Sequence, residues 1–323
     1  ESGRWMEQYE SYVSDQFAGR DFWVVLKSRV DLLAGKRKAN GVFKGKDHYL
    51  LEDIAKPDED QLKENLSAMK KFQKQYKDIP MYMMLVPNAA NIESDKLPGY
   101  AVTENQEKQF KAIHSTLGSA YTWVDVSDIL KKHRSEEIYY HTDHHWTTLG
   151  AYYGYQALSK SMKLDTSKTS DMKPYAVTNA FNGTLASTSG YETGYEEPIY
   201  IYAPDNLKNA TEAVVNNVNE KKKTATLYDT SKLKGKDKYA LFLGGNYPIL
   251  DIKTTADSTD RLLIIKDSYA NSLIPFLIPY YREIVVVDPR YYYDDIEKVM
   301  KKDNITSVLF LYNGNTFVKD NSI

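Results

Sequence analysis

The stretch Leu262-Leu263-Ile264-Ile265-Lys266-Asp267-Ser268-Tyr269 decides the fold class of this chain. Its first four residues are apolar without polar alternation, the pattern of a short strand buried on both faces. The run stops at Asp267-Ser268, and residues 269–277 then read as a helix. Such a strand-turn-helix step is the unit from which α/β proteins are built. It also presents Ser268 in a sharp turn, with its backbone N–H at a helix N-terminus.

The same alternation continues on both sides. Residues 57–76 read as a helix capped by Asp58 or Asp60, with Leu62, Leu66, Met69, Phe72 and Tyr76 as its apolar stripe. A strand over 79–86 ends at Pro87-Asn88, a helix follows over 106–117, and a strand over 121–126. Thr147 or Thr148 caps a helix that runs to residue 162. Beyond Ser268 come strands over 284–287 and 307–311, separated by a helix over 294–302. At the other end, residues 1–34 read as an amphipathic helix carrying Trp5, Tyr9, Tyr12, Val13, Phe22, Val25, Leu26, Val30 and Leu33 at three- and four-residue steps. Residues 42–51 read as a hairpin that turns at Gly45-Lys46-Asp47. Between residues 164 and 260 the texture changes to Thr, Ser, Asn, Gly and Tyr, with antiparallel strands expected over 197–202 and 223–228 and another over 239–243. The expectation is an α/β domain with a mainly parallel sheet, formed by residues 1–163 and 261–323. A β-rich insertion over 164–260 would serve as a lid or substrate-binding part.

Composition narrows the function. A net charge of −2 and a pI near 6.4 argue against nucleic-acid binding, and Lys221-Lys222-Lys223 reads as a solvated loop. With no Cys, disulfides, thiolate catalysis and Cys-ligated metals are excluded. The most hydrophobic stretch, 272–288, is interrupted by Pro275, Pro279 and Arg282 and reads as core. The 27 Tyr, against 10 Phe and 4 Trp, suit half-buried surfaces and equally suit sugar binding.

Chemistry concentrates in Tyr140-His141-Thr142-Asp143-His144-His145-Trp146, which holds three of the six histidines. Ser is a weak nucleophile until a base takes its proton, and His is the usual base. Asp143 and His145 stand two residues apart, so they converge in an extended or looped segment, where alternate side chains point the same way. Asp143, His145 and Ser268 thus supply an acyl-transfer triad. His141, Asp143, His144 and His145 offer a competing metal site. Against it, His48, His114 and His133 lack a partner motif and no Cys is available. Asn246, after Gly244-Gly245, is a candidate oxyanion donor, since paired glycines let backbone approach a ligand. Trp146 either shapes the pocket or packs beneath the motif.

On these residues the chain resembles the DHHW family of bacterial surface proteins, whose namesake motif stands intact as Asp143-His144-His145-Trp146. That family is similar to the SGNH-hydrolase-like domains of alginate O-acetyltransferases, which carry an Asp-x-His-Trp motif and a later Ser in an Asp-Ser-aromatic context. Asp143, His145 and Ser268-Tyr269 match these, in an order permuted from ordinary SGNH hydrolases, where Ser comes first. Softer matches are Asp15-Gln16-Phe17-x-x-Arg20, Gly45-Lys46-Asp47, and Phe181-x-Gly183-Thr184-Leu185. One departure is Pro87-Asn88-Ala89, where the alginate enzymes have a Pro-Thr-Lys-like sequence.

The resemblance implies an SGNH-like three-layer fold and O-acyl transfer, acetyl above all, to a cell-surface polysaccharide. No cofactor is expected. Ser268, His145 and Asp143 would be catalytic, with Asn246, Gly245, Trp146, His144 and Tyr269 around the oxyanion and substrate. The protein is expected outside the cytoplasm, held at the membrane by a segment preceding Glu1. It would receive acyl groups from a membrane-bound O-acyltransferase. An esterase with the same triad, and a non-catalytic glycan-binding protein, are the alternatives.

Overall fold

A computed structural model describes residues 20–206 and 210–323. Its strands are β1 (Lys38–Ala39), β2 (Val42–Lys44), β3 (Leu50–Glu52), β4 (Met81–Val86), β5 (Thr122–Trp123), β6 (Met172–Phe181), β7 (Glu197–Pro204), β8 (Ala213–Asn217), β9 (Lys222–Thr224), β10 (Ile249–Thr254), β11 (Arg261–Lys266), β12 (Glu283–Val287) and β13 (Ser307–Asn313). Eight of them form the central sheet, in the order β5-β4-β13-β11-β12-β10-β8-β9. The first five in that order run parallel. β10, β8 and β9 add antiparallel pairings at one edge. The sheet is therefore mixed, with a parallel half that carries the sequence's strand-turn-helix steps. The stretch 164–260 contributes β8, β9 and β10 to this sheet and, separately, the antiparallel ribbon β6–β7.

β11 lies between β13 and β12 in the parallel half and is buried on both faces. Leu262 and Ile264 join Trp146, Tyr155 and Leu158 of the helical layer around Thr148–Met162. Leu263 and Ile265 face the opposite layer, with Leu66 and Met69 of helix Glu59–Gln75 and Phe110 and Ile113 of helix Gln106–Leu117. This two-sided burial explains why the run has no polar alternation. Helix, sheet and helix thus make a three-layer α/β sandwich.

Several elements differ from expectation. Residues 269–277 form two 3₁₀ turns, Ser268–Ser272 and Ile274–Phe276, because Pro275 lacks an N–H and cannot continue an α-helix. Residues 239–243 are not a strand. Asp237 accepts a bond from Ala240 N and starts the 3₁₀ turn Lys238–Leu241 instead. The strand expected over 121–126 is only two residues long, and that over 223–228 stops at Thr224. The hairpin over 42–51 is present, with Phe43 opposite Leu51.

The first expected helix is described only as Arg20–Leu33, so Trp5, Tyr9, Tyr12, Val13 and the Asp15-Gln16-Phe17 match lie outside the described residues. Its packing face is not the expected stripe. Val24, Ser28 and Leu32, four residues apart, meet the body, with Ser28 Oγ donating to Ser189 O. Phe22 and Leu33 remain 64% and 89% exposed.

Candidate active site

The carboxyl ends of parallel strands leave a crevice where α/β proteins bind ligands. Ser268 lies there, just past β11. Asp267 shapes its turn. One carboxylate oxygen accepts from Tyr269 N at 2.9 Å and the other from Asn313 N at 2.9 Å, which ties the end of β11 to the end of β13. Ser268 is half-buried.

The histidine motif forms a tight loop. Tyr139 and Trp146 form an antiparallel bridge at its base, and Tyr140 N donates to His145 O at 3.2 Å. Thr147 caps the following helix by accepting from Gly150 N, which fixes where the loop ends. Trp146 is fully buried under the loop and donates from Nε1 to Tyr269 O at 3.0 Å and Ser272 Oγ at 3.1 Å. Tyr269, also buried, donates its hydroxyl to His144 O. Trp146 and Tyr269 thus brace the two segments against each other from below.

Within the loop, the i and i+2 side chains converge. His145 Nδ1 lies 2.5 Å from Asp143 Oδ1, and His145 Nε2 lies 2.7 Å from Ser268 Oγ. These contacts join Asp143, His145 and Ser268 in one hydrogen-bonded line. Asp143 Oδ2 accepts from Thr184 N at 2.8 Å and Thr184 Oγ1 at 2.9 Å, so the carboxylate is held at both oxygens. Burial alone would raise the Asp143 pKa. The adjacent His145 and His144 and the bonds from His145 and Thr184 instead hold it well below the usual carboxylate range. His145 stacks on Tyr239, with centroids 3.7 Å apart and planes 11° apart. His144 lies over His145 at 3.9 Å, and its Nδ1 meets Thr184 Oγ1 at 2.8 Å. Burial, followed by the neighbouring His145, lowers the His144 pKa.

Asp143, His144 and His145 hold their ligand atoms within 4.8 Å of one another. Yet the 2.5 Å between Asp143 Oδ1 and His145 Nδ1 is a hydrogen bond. Two ligands on one tetrahedral zinc stand about 3.3 Å apart. The remaining imidazole contacts go to Ser268 and Thr184, so the side chains fit a triad better than a metal.

His141 does not join this hydrogen-bonded line. Its N and Nδ1 contact Glu197 Oε2 at 2.9 and 3.2 Å, and Thr142 N and Oγ1 donate to Glu197 Oε1. Glu197 therefore anchors the loop just ahead of Asp143. Asn246 is exposed and sits against the Ser268 turn, with its Oδ1 facing Asn271 Nδ2 and Lys266 Nζ. Gly245 reaches that position with φ 118°, a backbone that favours glycine. Asn88, at the departure from the alginate pattern, is buried and bonded to Glu52 and Gln106. It ties loops together behind the site.

Sequence reasoning missed Thr184, Tyr239, Glu197 and Lys266. Thr184 carried a signal, since it lies in Phe181-x-Gly183-Thr184-Leu185. Two clefts open beside it. One, of about 610 Å³, is lined by His144, Thr184, Glu52, Asp53 and Thr103, and the other, of about 680 Å³, by Phe181, Gly183, Thr184, Tyr191 and Lys238.

The family model described as DHHW protein matches residues 60–287. Among solved structures, a DHHW family protein from Eubacterium siraeum is 25% identical, with a TM-score of 0.71 over 88% of this chain and 94% of that one. Bacillus cereus PatB1, solved with a sulfonyl adduct, is 20% identical, with a TM-score of 0.72 over 87% of this chain and 97% of that one. The O-acetyltransferase domain of Pseudomonas putida AlgJ is 15% identical, with a TM-score of 0.54 over 88% and 94%. No curated protein matches the sequence.

Proposed function

This chain belongs to the DHHW protein family, and from that premise we propose that it is a serine-dependent O-acyltransferase acting on a surface glycan. The observation that carries the reading is the unbroken line of hydrogen bonds from Asp143 through His145 to Ser268 Oγ. His145 takes the Ser268 proton as Oγ attacks the acyl carbonyl, and Asp143 stabilises the imidazolium. The tetrahedral oxyanion accepts from Ser268 N–H, at the start of its turn, and from Asn246. His145 then returns the proton to the leaving group, giving an acyl ester on Ser268. In the second half, a sugar hydroxyl gives its proton to His145 and attacks that ester. The acyl group moves to the sugar, and Ser268 is regenerated.

The family and fold support this choice, as does the likeness in fold to a domain described as an O-acetyltransferase. A neighbour of the same fold carries a sulfonyl adduct, and sulfonyl reagents are captured by activated nucleophiles. We assign acetyl as the acyl group and a polysaccharide hydroxyl as its acceptor. The acyl donor is supplied by a membrane-bound O-acyltransferase, and the protein works outside the cytoplasm. Among the described residues no helix is long and apolar enough to cross a membrane.

The test is turnover of an aryl acetate with and without an added polysaccharide. Acetyl esters are expected on the glycan, with a loss of ~10³-fold or more in Ser268→Ala. Release of free acetate alone, at a rate the glycan does not change, would identify an esterase instead. Equal rates in the wild type and Ser268→Ala would refute catalysis by the triad.

A further inference from the structure

Lys266 is a cation that the triad does not use. It ends β11, two residues before Ser268, and is 1% exposed. A buried ammonium must find hydrogen bonds and counter-charge in place of water. Its Nζ lies 2.8 Å from Asn246 Oδ1 and 3.5 Å from Asp288 Oδ2. Asp288 is already bound by Arg290, with Nε on Oδ1 at 2.8 Å and Nη2 on Oδ2 at 2.7 Å. Two cations therefore share one carboxylate, and the shorter contact of Lys266 is to the asparagine. Burial pushes the Lys266 pKa down to about 8, against the pull of Asp288.

That contact fixes which way the Asn246 amide faces. An ammonium can only donate, so the atom it meets is the carbonyl oxygen. Asn271 Nδ2 approaches the same oxygen at 3.2 Å. Its own orientation is set by Gly245 O at 3.4 Å, where the Asn271 carbonyl would be repelled. Asn271 belongs to the turn Ser268–Ser272 that begins with the nucleophile. Two donors thus engage Asn246 Oδ1, so the two N–H groups of Nδ2 are the part of this exposed side chain that neither of them holds. A cation on the carbonyl oxygen also polarises the amide and strengthens its N–H donors.

We infer that Lys266 is a positioning residue, which locks Asn246 with its amide N–H₂ turned toward the oxyanion formed at Ser268. The inference rests on the acyl-transfer reading above and adds a role for a residue that does not touch the substrate. Lys266→Met is a suitable probe, because Met has a similar length and Asp288 keeps Arg290, so no buried charge is orphaned.

The experiment is a double-mutant cycle on aryl acetate turnover with Lys266→Met, Asn246→Ala and the pair, alongside Ser268→Ala and melting curves. Asn246→Ala should lose about 100-fold and Lys266→Met about 10-fold, mainly in kcat. The pair should be no slower than Asn246→Ala alone, because the lysine acts only through the asparagine. Losses that multiply, or a Lys266→Met rate equal to wild type, would overturn the role given to Lys266 while leaving the triad intact. Turnover that survives Ser268→Ala would overturn both readings. Should Lys266→Met not fold, Lys266→Leu, which likewise removes both the donor and the charge, is run through the same cycle with the same criteria.

Discussion

At the scale of single residues, the site depends on contacts with no slack. Gly183 is an example. A Cβ built there would lie 2.2 Å from Asp143 Cβ and 2.7 Å from Asp143 Cα. Its φ of −89° is open to any residue, so the constraint is purely one of space. Gly183→Ala must push the Asp143 loop away from Thr184 and His145. We expect turnover to fall by about 100-fold or more, since a displacement near 1 Å costs that much in an oriented site. Circular dichroism should be unchanged, and full activity in this variant would contradict the geometry. The juxtaposition of Asp143, His145 and Ser268 was legible because two signals were local, an i, i+2 acid–histidine pair and a serine after an apolar run. Thr184, Tyr239 and Glu197 were not, because each acquires its role only when distant segments meet. Thr184 is 41 residues from Asp143 and Glu197 is 55 from Thr142.

At the scale of elements, periodicity found the parallel strands and the long helices, where burial on one or both faces imposes a pattern. It failed where a single residue overrides that pattern. Pro275 divides the expected helix after Ser268, and the Asp237 cap turns an apolar run into a 3₁₀ turn. β6 went unrecognised because most of it is exposed in a two-stranded ribbon, which leaves no apolar stripe to read. The short helix Ala89–Ile92 after β4 has a further consequence, since it delivers Glu93 into the interior with Oε1 buried and unpartnered. Burial, with Asp95 adding to it, raises the Glu93 pKa to about 7 from the ordinary 4.5. Between those values the folded protein holds a proton that the unfolded chain has lost. Stability attributable to this group therefore falls as pH rises from about 4.5 to 7. Glu93→Gln should be nearly neutral at pH 4 and stabilising on the order of 1–3 kcal/mol at pH 8. Denaturant titrations at the two pH values measure this, and an equal effect at both would contradict it.

At the scale of the whole molecule, the candidate site is assembled from three well-separated stretches. The motif loop supplies Asp143 and His145, the Gly183-Thr184 turn braces the acid, and the end of β11 supplies Ser268, 123 residues from its histidine. The central sheet makes this possible, because its parallel half ends at one edge and its buried strands fix the height of the Ser268 turn. The sequence revealed the class of this architecture, and the antiparallel extension by β10, β8 and β9 emerged only from strand pairing. If the proposed function holds, this assembly activates Ser268 through His145. The most direct measurement is covalent labelling by an aryl sulfonyl fluoride, mapped by peptide mass spectrometry in the wild type and His145→Ala. One sulfonyl group is expected on Ser268 in the wild type and none on Ser268 in the variant over the same time. Labelling of Ser268 that is equally fast without His145, or an unlabelled Ser268 in the wild type, would contradict it.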